Sequence, residues 1–141
     1  MFQNILLAVD GSERAWKAAQ LAAEITHCAP APVTLRIVVA YDPIPAYLGE
    51  PNLQKAIDAR MTDAESVLMQ ALKVIGEVPA DVHTEILEGP AADAILRVAE
   101  TRGSDLIVMG SRGLGQMAGL LLGSQSQKVV NNARCPVLIV R

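Results

Sequence analysis

Three glycines and a serine in the last third of the chain have the types and spacing that anion binding requires. Gly110 is followed after two residues by Gly113, and after nine more by Gly123-Ser124, all behind the apolar run Leu106 to Met109. Glycine lets a chain turn tightly and lets a ligand approach the backbone. A helix starting near Ser124 would add unpaired amides and the positive end of its dipole, both favourable to phosphate, and the hydroxyls of Ser124 and Ser126 could donate further bonds. Each charge-assisted hydrogen bond is worth roughly 1.5 to 3 kcal/mol, so a few such donors hold an anion without a lysine.

Two commoner phosphate motifs do not fit. A P-loop needs Gly followed by Lys and Ser or Thr, and no Gly-Lys pair occurs in the chain. Gly113-Leu-Gly115-Gln-Met-Ala118 spells a dinucleotide fingerprint, but it begins four residues past the apolar run and no acidic residue follows it. All fifteen acidic residues lie at or before Asp105, whereas the tail beyond carries Arg112, Lys128, Arg134 and Arg141 and no acid. Positive potential beside exposed amides suits an anion. Four scattered cations in a chain of net charge −3 make no basic stripe, so a nucleic-acid partner is not expected. His27 and His83 are isolated and read as surface or capping residues, and no Ser, His and acid pattern marks a hydrolase.

The elements that must position this loop follow from periodicity. Ile5 to Val9 is a short continuous apolar run ending in Asp10-Gly-Ser12, which reads as a strand buried on both faces. Ser12 and Glu13 can open a helix whose inner face is Ala15, Ala18, Ala19, Ala22 and Ile25, and Ala29-Pro-Ala-Pro32 breaks it. Val33 to Ala40 is a second strand. Asp42 to Asn52 holds three prolines and a glycine and reads as a long connection, a lid or a surface loop. Ile57, Met61, Ala64, Leu68, Leu72 and Ile75 define a long amphipathic helix stopped at Gly76, and Val82 to Leu87 is a third strand. Pro90 falls in the first turn of a helix with Ile95, Val98 and Ala99 inside, ended by Gly103. Leu106 to Met109, a helix over Ser124 to Ala133, and a strand over Pro136 to Val140 complete the chain. Strands alternating with helices imply right-handed crossovers and a doubly wound, all-parallel α/β sheet.

With 141 residues, the chain is expected to be one domain spanning 1–141. Its hydrophobic content is 51%, yet its aromatics are only Phe2, Trp16, Tyr41 and Tyr47, so the core must be aliphatic. Apolar runs of four to eight residues fall short of the roughly twenty a membrane span requires. Met1 to Asn4 lacks the basic start of a signal peptide, and Cys28 and Cys135 lack metal-ligand spacing. The expectation is a cytoplasmic protein whose two thiols are reduced core residues.

The pattern Gly110, two residues, Gly113, nine residues, Gly123-Ser124 resembles the nucleotide-binding signature of the universal stress protein family. The resemblance extends to Ile5-Leu-Leu-Ala-Val-Asp-Gly-Ser12, to the Gly89-Pro90 turn and to Ala133-Arg-Cys-Pro-Val-Leu-Ile-Val140, and so covers the whole chain. It implies a Rossmann-like, adenine nucleotide alpha-hydrolase-like fold with five parallel strands in the order 3-2-1-4-5 and four helices. It also implies dimerisation through the last strand and membership of the family's ATP-binding branch. On this resemblance Ala8, Val9 and Asp10 lie at the adenine and ribose end, with Val39 or Ala40 offering a backbone contact to adenine. Gly110, Gly113, Gly123, Ser124, Gln125 and Ser126 would hold ribose and phosphates, and Met109 and Arg112 belong to the same nucleotide site. Relatives often carry a basic residue between the second and third glycines, whereas Leu114 to Leu122 holds none, so either Arg112 supplies that charge or the affinity for phosphate is lower. The expected ligand is ATP, with or without Mg²⁺, and the expected output is a change of conformation or of partner. A slow ATP hydrolase and a nucleotide-free structural homodimer are the alternatives. Without a Gly-Lys pair or an evident general base, the loop is suited to holding a nucleotide rather than cleaving one.

Overall fold

A computed structural model describes residues 1–112 and 121–141. The elements are β1 (Asn4–Ala8), α1 (Glu13–Cys28), β2 (Val33–Tyr41), a 3₁₀ turn (Ala46–Leu48), α2 (Asn52–Ile75), β3 (Ala80–Glu88), α3 (Ala91–Thr101), β4 (Leu106–Gly110), α4 (Ser124–Asn132) and β5 (Val137–Val140). All five strands are parallel, in the order β3-β2-β1-β4-β5. The expected doubly wound α/β fold and strand order are therefore present.

The continuous apolar runs are explained by two buried faces. Alternate residues of β1 point to opposite layers: Ile5 and Leu7 join a cluster with the alanines of α1 and with Ala64 and Leu68 of α2. Leu6 and Ala8 join Ile95 and Ala99 of α3 and Val129 of α4. Alanine at positions 18, 19 and 22 is fully buried, and its small side chain brings α1 close to the sheet. Ser12 caps α1 by accepting the Ala15 amide at 3.2 Å. At the opposite edge of the sheet, the Asp105 carboxylate accepts the amides of Gln3 at 2.8 Å and Asn4 at 3.0 Å, tying the start of β4 to the start of β1.

Several sequence expectations need correction. Leu72 is 40% exposed while Ala71 is fully buried, because the true inner stripe of α2 runs Ala64, Leu68, Ala71, Ile75. A small apolar residue won the inner position over a larger neighbour one step around the helix. Ile57 and Met61 are only half-buried, and no residue of α2 before Ala64 is fully buried. Pro90 is the N-cap of α3, one position before the first turn. Cys28, the last residue of α1, is exposed rather than part of the core, and Cys135 is intermediate. Burial pushes the Cys135 thiol up, and the neighbouring Asp105 charge adds to the effect. Limited alkylation with iodoacetamide near pH 8 should therefore label Cys28 well ahead of Cys135, read by peptide mass. Equal rates would contradict both the burial and the shift.

Gly11 meets a requirement that only glycine satisfies without strain. Its φ is +85°, and a Cβ there would lie 3.4 Å from Val67 Cγ2 on α2, an ordinary contact. The conformation therefore decides the effect. Gly11→Ala is expected to destabilise the protein by about 1–2 kcal/mol, measured by urea unfolding.

Candidate functional site

The carboxyl ends of β1, β2 and β4 open onto a cavity of about 680 Å³. Volumes of roughly 300–1,000 Å³ are usual for small-ligand pockets. The chain leaves β1 toward β2 on one side, while β4 pairs with β1 on the other, so the cavity lies at the topological switch point. Ala8, Val9 and Asp10 reach it from β1, and Val39 and Ala40 from β2. Met109, Gly110 and Arg112 reach it from β4 and its loop, and Gly123, Ser124, Gln125 and Ser126 from the start of α4. Of the residues expected from the sequence, Gly113 lies outside those described.

Hydrogen bonds show how these residues are held. Asp10 Oδ1 accepts the Ser12 amide at 3.0 Å, so the carboxylate braces the turn into α1 while lining the cavity. The buried Ser126 hydroxyl donates to the Gly110 carbonyl at 2.9 Å, pinning α4 to the end of β4. The Gly123 amide donates to the Ser111 carbonyl at 2.7 Å. Gln125 Oε1 accepts the Ala92 amide at 2.9 Å and so satisfies one of the orphan donors of α3. The Gly123 amide and the Ser126 hydroxyl thus donate within the loop. The donors at this end are the amides of Ser124, Gln125 and Ser126, because the first intrahelical bond of α4 runs from Gln127 to the Gly123 carbonyl at 2.9 Å. The exposed Ser124 hydroxyl stands with them.

Gly110 is glycine for a reason other than a positive φ. It sits within β4, and a Cβ there would come to 3.0 Å of Arg14 Cβ, 3.1 Å of Arg14 C and 3.2 Å of the Ala15 nitrogen. Its missing side chain admits the first turn of α1 against the strand. Arg14 then donates from Nη1 to the hydroxyl of Ser111, which is fully buried. Nothing in the local pattern flagged that pair, since its two members are 97 residues apart in the chain.

The positive tail is less available than the composition implies. Lys128 pairs with Asp93 at 2.8 Å and Arg134 with Glu100 at 2.5 Å, joining the α4 side to α3. The helix dipole and the first-turn amides at Ser124 favour an anion at this end independently of those cations. Missed in the sequence is the contribution of α2, whose Arg60, Asp63, Ala64 and Val67 line the cavity. Their spacing of three and four is one helix face, but Arg60 and Asp63 break the apolar stripe that located the helix. Among the described residues, no group of three or more His, Cys, Asp and Glu side chains could hold a metal ion. No helix among them is long and apolar enough to cross a membrane.

Known proteins agree with this architecture. The profile of the universal stress protein family matches residues 1–141. A universal stress protein of Thermus aquaticus is 48% identical over 141 residues, covering all of both chains. One from Methanocaldococcus jannaschii is 33% identical across this whole chain and 83% of its own length. Among solved structures, the universal stress protein UspA of Lactobacillus plantarum superposes with a TM-score of 0.86 at 28% identity, over 99% of this chain and 98% of its own. A universal stress protein solved in complex with cAMP superposes with a TM-score of 0.75 at 27% identity, over 99% and 97% of the two chains. The chain belongs to the universal stress protein family.

Proposed function

We propose that this protein binds an adenine nucleotide, ATP foremost, in the cavity at the carboxyl edge of the sheet. The observation that carries the reading is convergence: residues more than a hundred positions apart, from Asp10 to Ser126, line one cavity of about 680 Å³ with a helix N-terminus at one end. The cAMP-bound relative supports the same ligand class. Phosphates lie at Ser124 to Ser126, where amides and dipole favour them, and the nucleoside lies toward Asp10, Val39 and Ala40. The residues fit the group: the ribose hydroxyls can donate to the Asp10 carboxylate, and the β2 end offers backbone groups to the base. Any Mg²⁺ travels on the phosphates of the nucleotide.

The output we infer is conformational. Nucleotide occupancy stabilises one conformation of the loop after Asp42, which reaches the cavity at Tyr41 and Asp42, altering a protein partner or a homodimer built on β5 in a cytoplasmic stress response. All four residues of β5 are half-buried and, among the described residues, its outer edge is unpaired, which is the geometry a second copy would cover. Binding rather than turnover is the reading. Titration of the purified protein with ATP, AMP and cAMP tests it: saturable binding of at least one is expected, and none up to millimolar concentration would leave the nucleotide-free structural homodimer as the better account.

A further inference from the structure

Arg14 occupies a place that the helix it belongs to does not favour. It is the second residue of α1, where the macrodipole disfavours a cation, and the preceding Glu13 is the residue type that the position suits. Its guanidinium instead reaches the hydroxyl of Ser111, a residue with no exposure at all. Ser111 is a junction: its amide donates to the Val140 carbonyl at 2.7 Å, and its carbonyl accepts the Gly123 amide at 2.7 Å. Gly123 is the N-cap of α4, and the residues on either side of Ser111, Gly110 and Arg112, line the cavity. Arg14 does not itself line the cavity, yet Gly110 has given up a side chain so that Arg14 and Ala15 can lie against it.

We propose that Arg14 is a positioning residue for the phosphate end of the site, holding Ser111 so that Gly123 and the first-turn amides of α4 face the ligand, with its own charge set behind them. A local placement unfavourable to the helix, combined with a buried contact leading to the α4 cap, is what a functional constraint produces. The assignment rests on the nucleotide-binding reading above. It locates in α1 a cation for the phosphate end, while Lys128 and Arg134 pair with acids of α3.

The test is a comparison of adenosine, AMP and ATP binding to the full chain as wild type, Arg14→Lys, Arg14→Gln, Ser111→Ala and the Arg14→Gln/Ser111→Ala double variant, with a thermal melt of each. Arg14→Gln should weaken ATP by about tenfold or more while leaving adenosine within about twofold, since only the phosphates meet the first turn of α4. Arg14→Lys should restore part of the ATP affinity, and the double variant should lose less than the sum of its parts. Equal losses for adenosine and ATP, accompanying a lower melting temperature, would reduce Arg14 to a structural prop and overturn the inference. So would ATP affinity unchanged in Arg14→Gln. In either case a wild type that binds ATP leaves the nucleotide reading standing, whereas a wild type that binds none of the three overturns both.

Discussion

Leu7→Ala should lower the unfolding free energy by about 2–5 kcal/mol, the largest stability effect expected of a single truncation near the site. Leu7 is fully buried on β1, the central strand, in register with Ile37 on one side and Val108 on the other. Its side chain packs in the layer where α1 contributes alanines, which are too short to fill the void that truncation would leave. For a domain whose total stability is about 5–15 kcal/mol, such a loss shifts the urea midpoint strongly at unchanged slope. Because β1 ends at the cavity, the variant also links fold to ligand. ATP at a hundred times its dissociation constant should return about 2.7 kcal/mol, seen as a raised melting temperature. A loss below about 1 kcal/mol would contradict the packing described for the α1 layer.

Gly110→Val is the second large effect, and it acts on stability and binding together. The valine Cβ would meet the backbone of Arg14 and Ala15 at 3.1–3.2 Å, and backbone at a capped helix start yields little. Overpacking of this kind costs about 1–3 kcal/mol. The strain falls on the first turn of α1 and on the strand end that receives the Ser126 hydroxyl, so α4 should shift and ATP affinity should drop about tenfold. Gly110→Ala should show the same changes in weaker form. Wild-type stability and affinity in Gly110→Val would mean that the close approach of α1 to β4 is not needed.

Much of this fold was legible because its layers impose opposite patterns. Strands covered on both faces read as unbroken aliphatic runs, as Ile5 to Ala8 and Leu106 to Met109 do, and the glycines and prolines at their ends punctuated the rest. The shared cavity was legible for the same reason: in a parallel sheet the residues after the strands share one edge, so Asp10, Ala40 and Gly110 line it together. Periodicity carried less where one residue must be chosen over its neighbour, as with Ala71 over Leu72 in α2. It could not disclose that Arg60 and Asp63 face the cavity, because polarity ordinarily marks the solvent side of a helix. Nor could it show that the Gly123 amide and Ser126 hydroxyl serve the loop itself, since hydrogen-bond direction depends on contacts between distant segments. It was equally silent on Gly110, which lies against the first turn of α1 within a strand, where no positive φ is required of it.

In the proposed complex one adenine nucleotide bridges Asp10 and the first turn of α4. The most direct measurement is an amide chemical-shift titration of the full chain with ATP. Saturable shifts at Asp10, Ala40, Ser124, Gln125 and Ser126, with Asp81 and His83 on the β3 edge unmoved, are the predicted result. Absence of saturable shifts, or shifts centred on β3 with Ser124 to Ser126 unmoved, would contradict it.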